Sequence, residues 1–163
     1  EDMVQKIRAA VDARTDPDFT IIVRTDALAV TGWDDSMRRC EDYIKAGADV
    51  LFVEALRTPE DAERVTKSLG VPLLYNYVET GKSPLIPASE LEKLGFKIVI
   101  FPVSALLTVC RVVTDLMQEL KQKGTTSHLL DNMVNIEECF NIVGLDAMLA
   151  KDASYTAEPQ ATL

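Results

Sequence analysis

The sequence predicts an α/β protein made of parallel βα units, in the order α(βα)4 followed by a helical appendix. Three observations carry this. Four short apolar runs each end in a polar residue: Phe19–Val23 at Arg24, Asp49–Val53 at Glu54, Pro72–Tyr75 at Asn76, and Lys97–Pro102 running on to Ser104. Counted from Arg24, these ends lie 30, 22 and 28 positions apart, spacings that fit successive βα units. Each run is followed by a stretch whose apolar residues recur with helical period.

Residues 1–14 read as a helix with Met3, Val4, Ile7, Ala10 and Val11 on one face. Thr15-Asp16-Pro17-Asp18 breaks it, because Pro17 disfavours helix at Asp16. After the first strand, residues 25–32 read as a loop. Residues 33–46 form the next helix, closed by Gly47. Thr58-Pro59-Glu60-Asp61 is a helix start, with a threonine cap, proline in the first turn and acids beside it. That helix ends at Gly70. Val78 to Pro87 is the longest loop, and residues 89–94 form a short helix closed by Gly95. Residues 103–122 form a long apolar helix closed by Gly124, and shorter helices broken near Asn135 and Gly144 follow it. Residues 1–124, 125–153 and 154–163 are therefore expected to be the α(βα)4 unit, the helical appendix and a flexible tail.

The 163 residues are 47% hydrophobic with a formal charge of -9, which gives a globular core and excludes partners that need a basic face, nucleic acid and anionic membranes. No apolar run reaches the roughly 18–20 residues of a membrane span, and no signal peptide is visible. Cys40, Cys110 and Cys139 are odd in number and far apart. They read as reduced thiols of a cytosolic or matrix-like compartment, with Cys110 and Cys139 expected in the core.

Parallel βα folds place their binding face at the carboxyl ends of the strands. Arg24 there suits a carboxylate, which guanidinium grips with two parallel hydrogen bonds. Asp26 steadies it, and a simple Arg24–Asp26 ion pair without ligand explains the pattern equally well. Glu54 ends an apolar strand and needs a partner; that partner is Arg24, a metal-bound water or a substrate hydroxyl. Asn76 and Ser104 can donate to an anion, and either also serves as a satisfied turn residue. Asp16 and Asp18 precede a strand, on the opposite face, and read as a turn. His128 reads as an exposed helix-start residue. No phosphate-binding glycine loop occurs.

Several stretches resemble the isocitrate lyase/phosphoenolpyruvate mutase superfamily. They are Lys6-Ile7-Arg8-Ala9-Ala10-Val11-Asp12-Ala13-Arg14, Val23-Arg24-Thr25-Asp26-Ala27, Ala46-Gly47-Ala48-Asp49 with Phe52-Val53-Glu54-Ala55, Asn76-Tyr77-Val78-Glu79 with Gly81 and Pro84, Phe101-Pro102-Val103-Ser104, and Phe140-Asn141-Ile142-Val143-Gly144-Leu145. The resemblance implies the second half of a TIM-type (βα)8 barrel plus C-terminal helices. It implies Mg²⁺-dependent cleavage of a C–C bond in a small 2-hydroxy or 2-oxo dicarboxylate of the oxaloacetate, substituted malate or methylisocitrate class. In that reading Arg24 binds a substrate carboxylate and Glu54 is catalytic beside the metal-bound substrate. Asn76 holds another carboxylate oxygen, Ser104 also contacts substrate, and Asp26 and Glu79 support the site. Methylisocitrate lyases look to carry an arginine three residues after the position of Ser104, where this chain has Leu107. This tilts the expectation towards oxaloacetate or a substituted malate.

The family's strand-end Asp-x-Asp metal pair and its Cys-Gly-His loop belong to the first four βα units; the Asp-x-Asp of this sequence, Asp16-Pro17-Asp18, precedes a strand, and no Cys-Gly-His occurs. Direct Mg²⁺ ligands are therefore not expected among these residues. A half-barrel leaves two strand edges and an inner face uncovered. Alternation turns Ile22, Phe52 and Leu74 inward with the site residues, and each such side chain is worth roughly 1.5–3 kcal/mol when buried. The chain is therefore expected to associate, as a homo-oligomer exchanging its C-terminal helix or by pairing with a missing half. The alternative to an enzyme half is a catalytically inactive assembly module.

Overall fold

A computed structural model describes residues 1–156. Residues 1–109 form one compact unit, and a second begins at Cys110. The first unit opens with helix α1 (Asp2–Ala13), followed by β1 (Ile22–Thr25), α2 (Ala27–Thr31), α3 (Trp33–Ala46), β2 (Val50–Val53) and α4 (Pro59–Ser68). It continues with β3 (Leu74–Asn76), α5 (Ala88–Leu94), β4 (Ile98–Ile100) and the start of α6 (Ser104–Lys123). After α6 come a 3-10 helix at Ser127–Asn132, α7 (Ile136–Ile142) and α8 (Leu145–Thr156).

The strands are parallel and neighbour one another in chain order. β1 pairs with β2 with Arg24 beside Phe52, β3 pairs with β4 with Asn76 beside Ile100, and a bridge between Leu51 and Leu73 joins the two pairs. Strand alternation divides the side chains between two faces. Val23, Leu51, Val53, Leu73 and Tyr75 pack against Ile7, Cys40, Tyr43, Val65 and Leu91 from the helices. Val50, Phe52 and Leu74, with Ile98 and Ile100, form a smaller cluster on the other face.

The first strand begins later than its apolar run. Phe19 is 65% exposed, because Asp16–Phe19 closes a turn in which Asp18 N donates to Asp16 Oδ1 at 2.9 Å and Phe19 N to Asp16 O at 3.1 Å. The sheet is entered through Asp49. Its Oδ2 accepts from Ile21 N and from Arg14 Nη1, both at 2.8 Å, so this acid pins the amino ends of β1 and β2 to α1 rather than extending β2.

Helix boundaries follow the expected chemistry at most ends. Thr58 Oγ1 accepts from Asp61 N at 3.1 Å. Asn135 and Glu138 form a reciprocal capping box, the two-donor arrangement that starts a helix firmly. Gly47 closes α3 at φ 105 and meets α1 closely, since a Cβ there would lie 2.7 Å from Val11 Cγ2.

Four expectations are corrected. Residues 25–32 contain a short helix, α2, rather than only loop; Ala27 to Val30 are helix-tolerant, and Gly32 at φ 85 stops them. Cys110 and Cys139 are exposed, and only Cys40 is buried; the apolar stretches that hold the first two form helices with no buried residue. The inner face is less open than counted. Phe52 and Leu74 are 8% and 5% exposed, and only Ile22, at the outer strand, reaches 45%. The Arg24 guanidinium lies over the Phe52 ring at 4.8 Å and supplies part of that cover. Finally, the expected tail begins as helix, with α8 running to Thr156; the rest of it lies outside the described residues.

Candidate functional site

Arg24, Asp26, Glu54 and Asn76 line one cavity of about 280 Å³ at the carboxyl ends of β1, β2 and β3. Register brings them together. Glu54 N donates to Thr25 O at 3.0 Å, which sets Glu54 two residues beyond Phe52, the partner of Arg24, and on the same face of the strand, and Asn76 closes the neighbouring strand. Arg24 Nη2 lies 3.4 Å from Glu54 Oε2, and Asn76 Nδ2 donates to the same oxygen at 3.2 Å. This donation fixes which end of the Asn76 amide faces Glu54, because a carboxylate only accepts.

Asp26 grips the guanidinium edge. Arg24 Nε donates to Asp26 Oδ2 at 3.0 Å and Nη2 to Oδ1 at 2.8 Å. The hydrogen bond from Arg24 holds the Asp26 carboxyl below the usual carboxylate range. The same bond, with the charge of Glu54, raises Arg24 further. The planar edge that the sequence offers to a substrate carboxylate is thus taken by Asp26, and Nη1 is left as the guanidinium's remaining donor. The ion-pair alternative is realised, and it leaves room for a ligand at one nitrogen.

Two sequence candidates stand apart. Ser104 opens α6 with a buried hydroxyl that has no hydrogen-bond partner among the described residues, and it does not line the cavity. Glu79 is exposed in the turn after β3, also outside the lining. His128 is exposed in the 3-10 helix.

The cavity also contains residues that sequence reasoning missed: Ala29, Ala55, Val78, Gly81, Lys82 and Ser83. Ala55 follows Glu54 with φ 63, a left-handed conformation that costs a non-glycine residue about 1–2 kcal/mol and turns the chain sharply out of β2. Lys82 and Ser83 come from the long loop after β3. Tyr75 beneath that loop donates its hydroxyl to Pro84 O at 2.7 Å, and burial pushes the phenol up to about 12. Ala55, Val78 and Gly81 stand in family-like stretches that gave them no role, and Lys82 and Ser83 were signalled only by their place between Gly81 and Pro84 after a strand.

Among the described residues, no group of three or more His, Cys, Asp or Glu side chains could hold a metal. Mg²⁺ demands an octahedral set of oxygen ligands. Asp26 gives both oxygens to Arg24, and Glu54 gives one to Asn76. These residues do not fit direct Mg²⁺ ligation.

Parallel βα units with a charged cavity at the strand ends define a protein of the TIM-barrel class. The family profile described as phosphoenolpyruvate phosphomutase matches residues 1–121. The 2,3-dimethylmalate lyase of Eubacterium barkeri is 37% identical over 155 residues, covering 95% of this chain and 54% of the relative. The 2-methylisocitrate lyase of Escherichia coli is 38% identical over 143 residues, covering 88% of this chain and 48% of the relative. Among solved structures, 2,3-dimethylmalate lyase superposes with a TM-score of 0.83 at 39% identity, covering 93% of this chain and 54% of that one. Phosphonopyruvate hydrolase in complex with oxalate and Mg²⁺ gives 0.78 at 27% identity, covering 95% and 56%.

The chain belongs to the phosphoenolpyruvate mutase/isocitrate lyase superfamily. It spans about half the length of the relatives it matches. No described helix is long and apolar enough to cross a membrane.

Proposed function

We propose that this chain is the carboxylate-holding side of a site that cleaves a C–C bond in a small 2-hydroxy or 2-oxo dicarboxylate, of the oxaloacetate, substituted malate or methylisocitrate class. One observation carries the reading: Arg24, Glu54 and Asn76, from three successive strands, converge on a single cavity. Arg24 Nη1 and the second N–H of Asn76 remain to meet a carboxylate, and both donors are held by acids rather than free to wander. A charge-assisted hydrogen bond is about twice as strong as a neutral one. Glu54, fixed by both donors, stands where a proton of the bound acid would be received. Similarity to lyases and a hydrolase of small acids supports the substrate class.

Metal-dependent turnover needs ligands these residues do not supply, so the 163-residue chain alone does not cleave oxaloacetate or 2-methylisocitrate. The test is calorimetric titration of the chain with oxalate. Saturable binding should weaken about tenfold or more in Arg24→Ala, and equal heats in both would remove Arg24 from the site. Turnover by the purified chain would overturn the inactive assignment.

The long helix α6 supports a second element of the reading, association. It buries no residue, and Leu106, Val109, Val112, Val113 and Met117 are exposed along it. A helix with this much apolar surface is covered in its working state. We assign that cover to another copy of the chain, by exchange of the C-terminal helices, in a soluble cytoplasmic or matrix setting.

A further inference from the structure

We propose that Lys82 is the second anion-binding cation of this site and takes the distal carboxylate of a dicarboxylate ligand. The inference rests on the carboxylate reading of the Arg24 cavity and extends it to a residue outside the three strands.

The first argument is charge. The cavity lining holds two acids, Asp26 and Glu54, and two cations, Arg24 and Lys82. Asp26 and Glu54 together more than neutralise Arg24, so without Lys82 the lining is net negative and repels a dianion. With Lys82 it is neutral, and two carboxylates can each meet a cation.

The second argument is availability. Among the described residues Lys82 has no ion pair and no hydrogen bond, while both Asp26 oxygens are bound to Arg24 and Glu54 Oε2 is shared by Arg24 and Asn76. Its ammonium is a mobile donor on a flexible stem, suited to following the far end of ligands of different length.

The third argument is placement. A lysine on a loose loop would lose its advantage to entropy, and this loop is anchored. Tyr75, 2% exposed, donates to Pro84 O two residues beyond Lys82. On the other side, Gly81 N closes a tight turn on Val78 O at 3.0 Å. A Cβ at Gly81 would lie 3.0 Å from Val78 Cβ and 3.2 Å from its carbonyl oxygen, so the turn that delivers Lys82 is closely packed on Val78. Both flanks of Lys82 are therefore fixed while its side chain is free.

The experiment compares succinate with butyrate, which match in carbon number and differ by one carboxylate, in NMR titrations of the 163-residue chain. The unaltered chain should bind succinate more tightly. Lys82→Met should reduce that preference about tenfold or abolish it, and Lys82→Arg should retain it. A preference unchanged in Lys82→Met overturns the role of Lys82 while leaving the Arg24 cavity standing. Absence of saturable binding of either acid to the unaltered chain overturns the carboxylate reading and this inference together.

Discussion

Asn76 donates its amide Nδ2 to Glu54 Oε2 at 3.2 Å, tying the carboxyl end of β3 to that of β2. Strand pairing between these two is thin. It consists of a single bridge at Leu51 and Leu73 and the hydrogen bond from Leu51 N to Pro72 O at 3.1 Å. The side-chain bond therefore closes a junction that the backbone leaves open at its functional end. Asn76→Asp replaces the donor by a second acceptor beside a carboxylate. The variant should lose about 1–3 kcal/mol of stability at neutral pH, read as a lowered urea midpoint. An unchanged midpoint would show that the bond is incidental.

The Arg24–Asp26 pair makes a prediction about pH. Asp26 is held below its ordinary range by the hydrogen bond from Arg24. A carboxyl depressed in the fold stabilises above its unfolded pKa of about 3.9, and that contribution is lost as pH falls through the depressed value. Both partners are about half exposed, so the energy is that of a surface pair, about 0–1 kcal/mol. The titration itself is the better readout. Carboxyl NMR should place the Asp26 midpoint below 3.9 in the unaltered chain and near about 3.9 in Arg24→Ala. Coincident midpoints would refute the pairing in solution.

How much of this was written in the sequence follows from the range of the interactions. The βα order and the face on which Arg24, Glu54 and Asn76 lie depend on local period and on alternation, which the apolar runs display directly. Thr58 and Asn135 cap helices through bonds spanning three residues. Asp49 was legible only as an odd polar residue, because its partners Ile21 and Arg14 are 28 and 35 residues away. Lys82 and Ser83 were missed for a similar reason. Their place at the cavity is set by Tyr75 reaching across nine residues to Pro84, and nothing periodic announces such a contact. Ser104 shows the reverse, a residue with suitable chemistry that opens α6 rather than ending β4 and does not line the cavity.

Tyr75 offers a separable test of loop placement. Tyr75→Phe keeps the ring that packs edge-on to Phe96 at 5.1 Å and deletes the bond to Pro84. Amide exchange in residues 78–87 should accelerate while the helices keep their protection, with a global loss of about 1 kcal/mol. The phenol also predicts alkaline behaviour. Its folded value is raised to about 12 by burial, so the stability it contributes is complete below its unfolded pKa of about 10. It is lost as pH rises from there through about 12. Tyr75→Phe should remove that part of the alkaline decline, and an unaltered decline would place its origin elsewhere.

The exposed face of α6 gives the association proposal a chemical reporter. Leu106, Cys110, Val113, Met117 and Leu120 follow one another at intervals of four, three, four and three residues, the spacing of a helix seam that packs against another helix. All five are exposed in the single chain. A partner helix on this seam covers the Cys110 thiol, whereas Cys139 on α7 is exposed off the seam. Cys40 serves as the internal control, being buried with its thiol pushed up to about 11, which leaves little thiolate to react. With a disulfide reagent at neutral pH, Cys139 should react at once, Cys40 only on unfolding, and Cys110 at a rate that rises as the protein is diluted. Val113→Asp places a charge on the seam and should release Cys110 at every concentration while lowering the sedimenting mass. Equal rates for Cys110 and Cys139, together with a monomer mass throughout, would leave α6 uncovered and end the exchange proposal. A dilution-dependent rate at Cys110 alone locates the contact on this helix, because dissociation at any other surface would leave its thiol as open as that of Cys139.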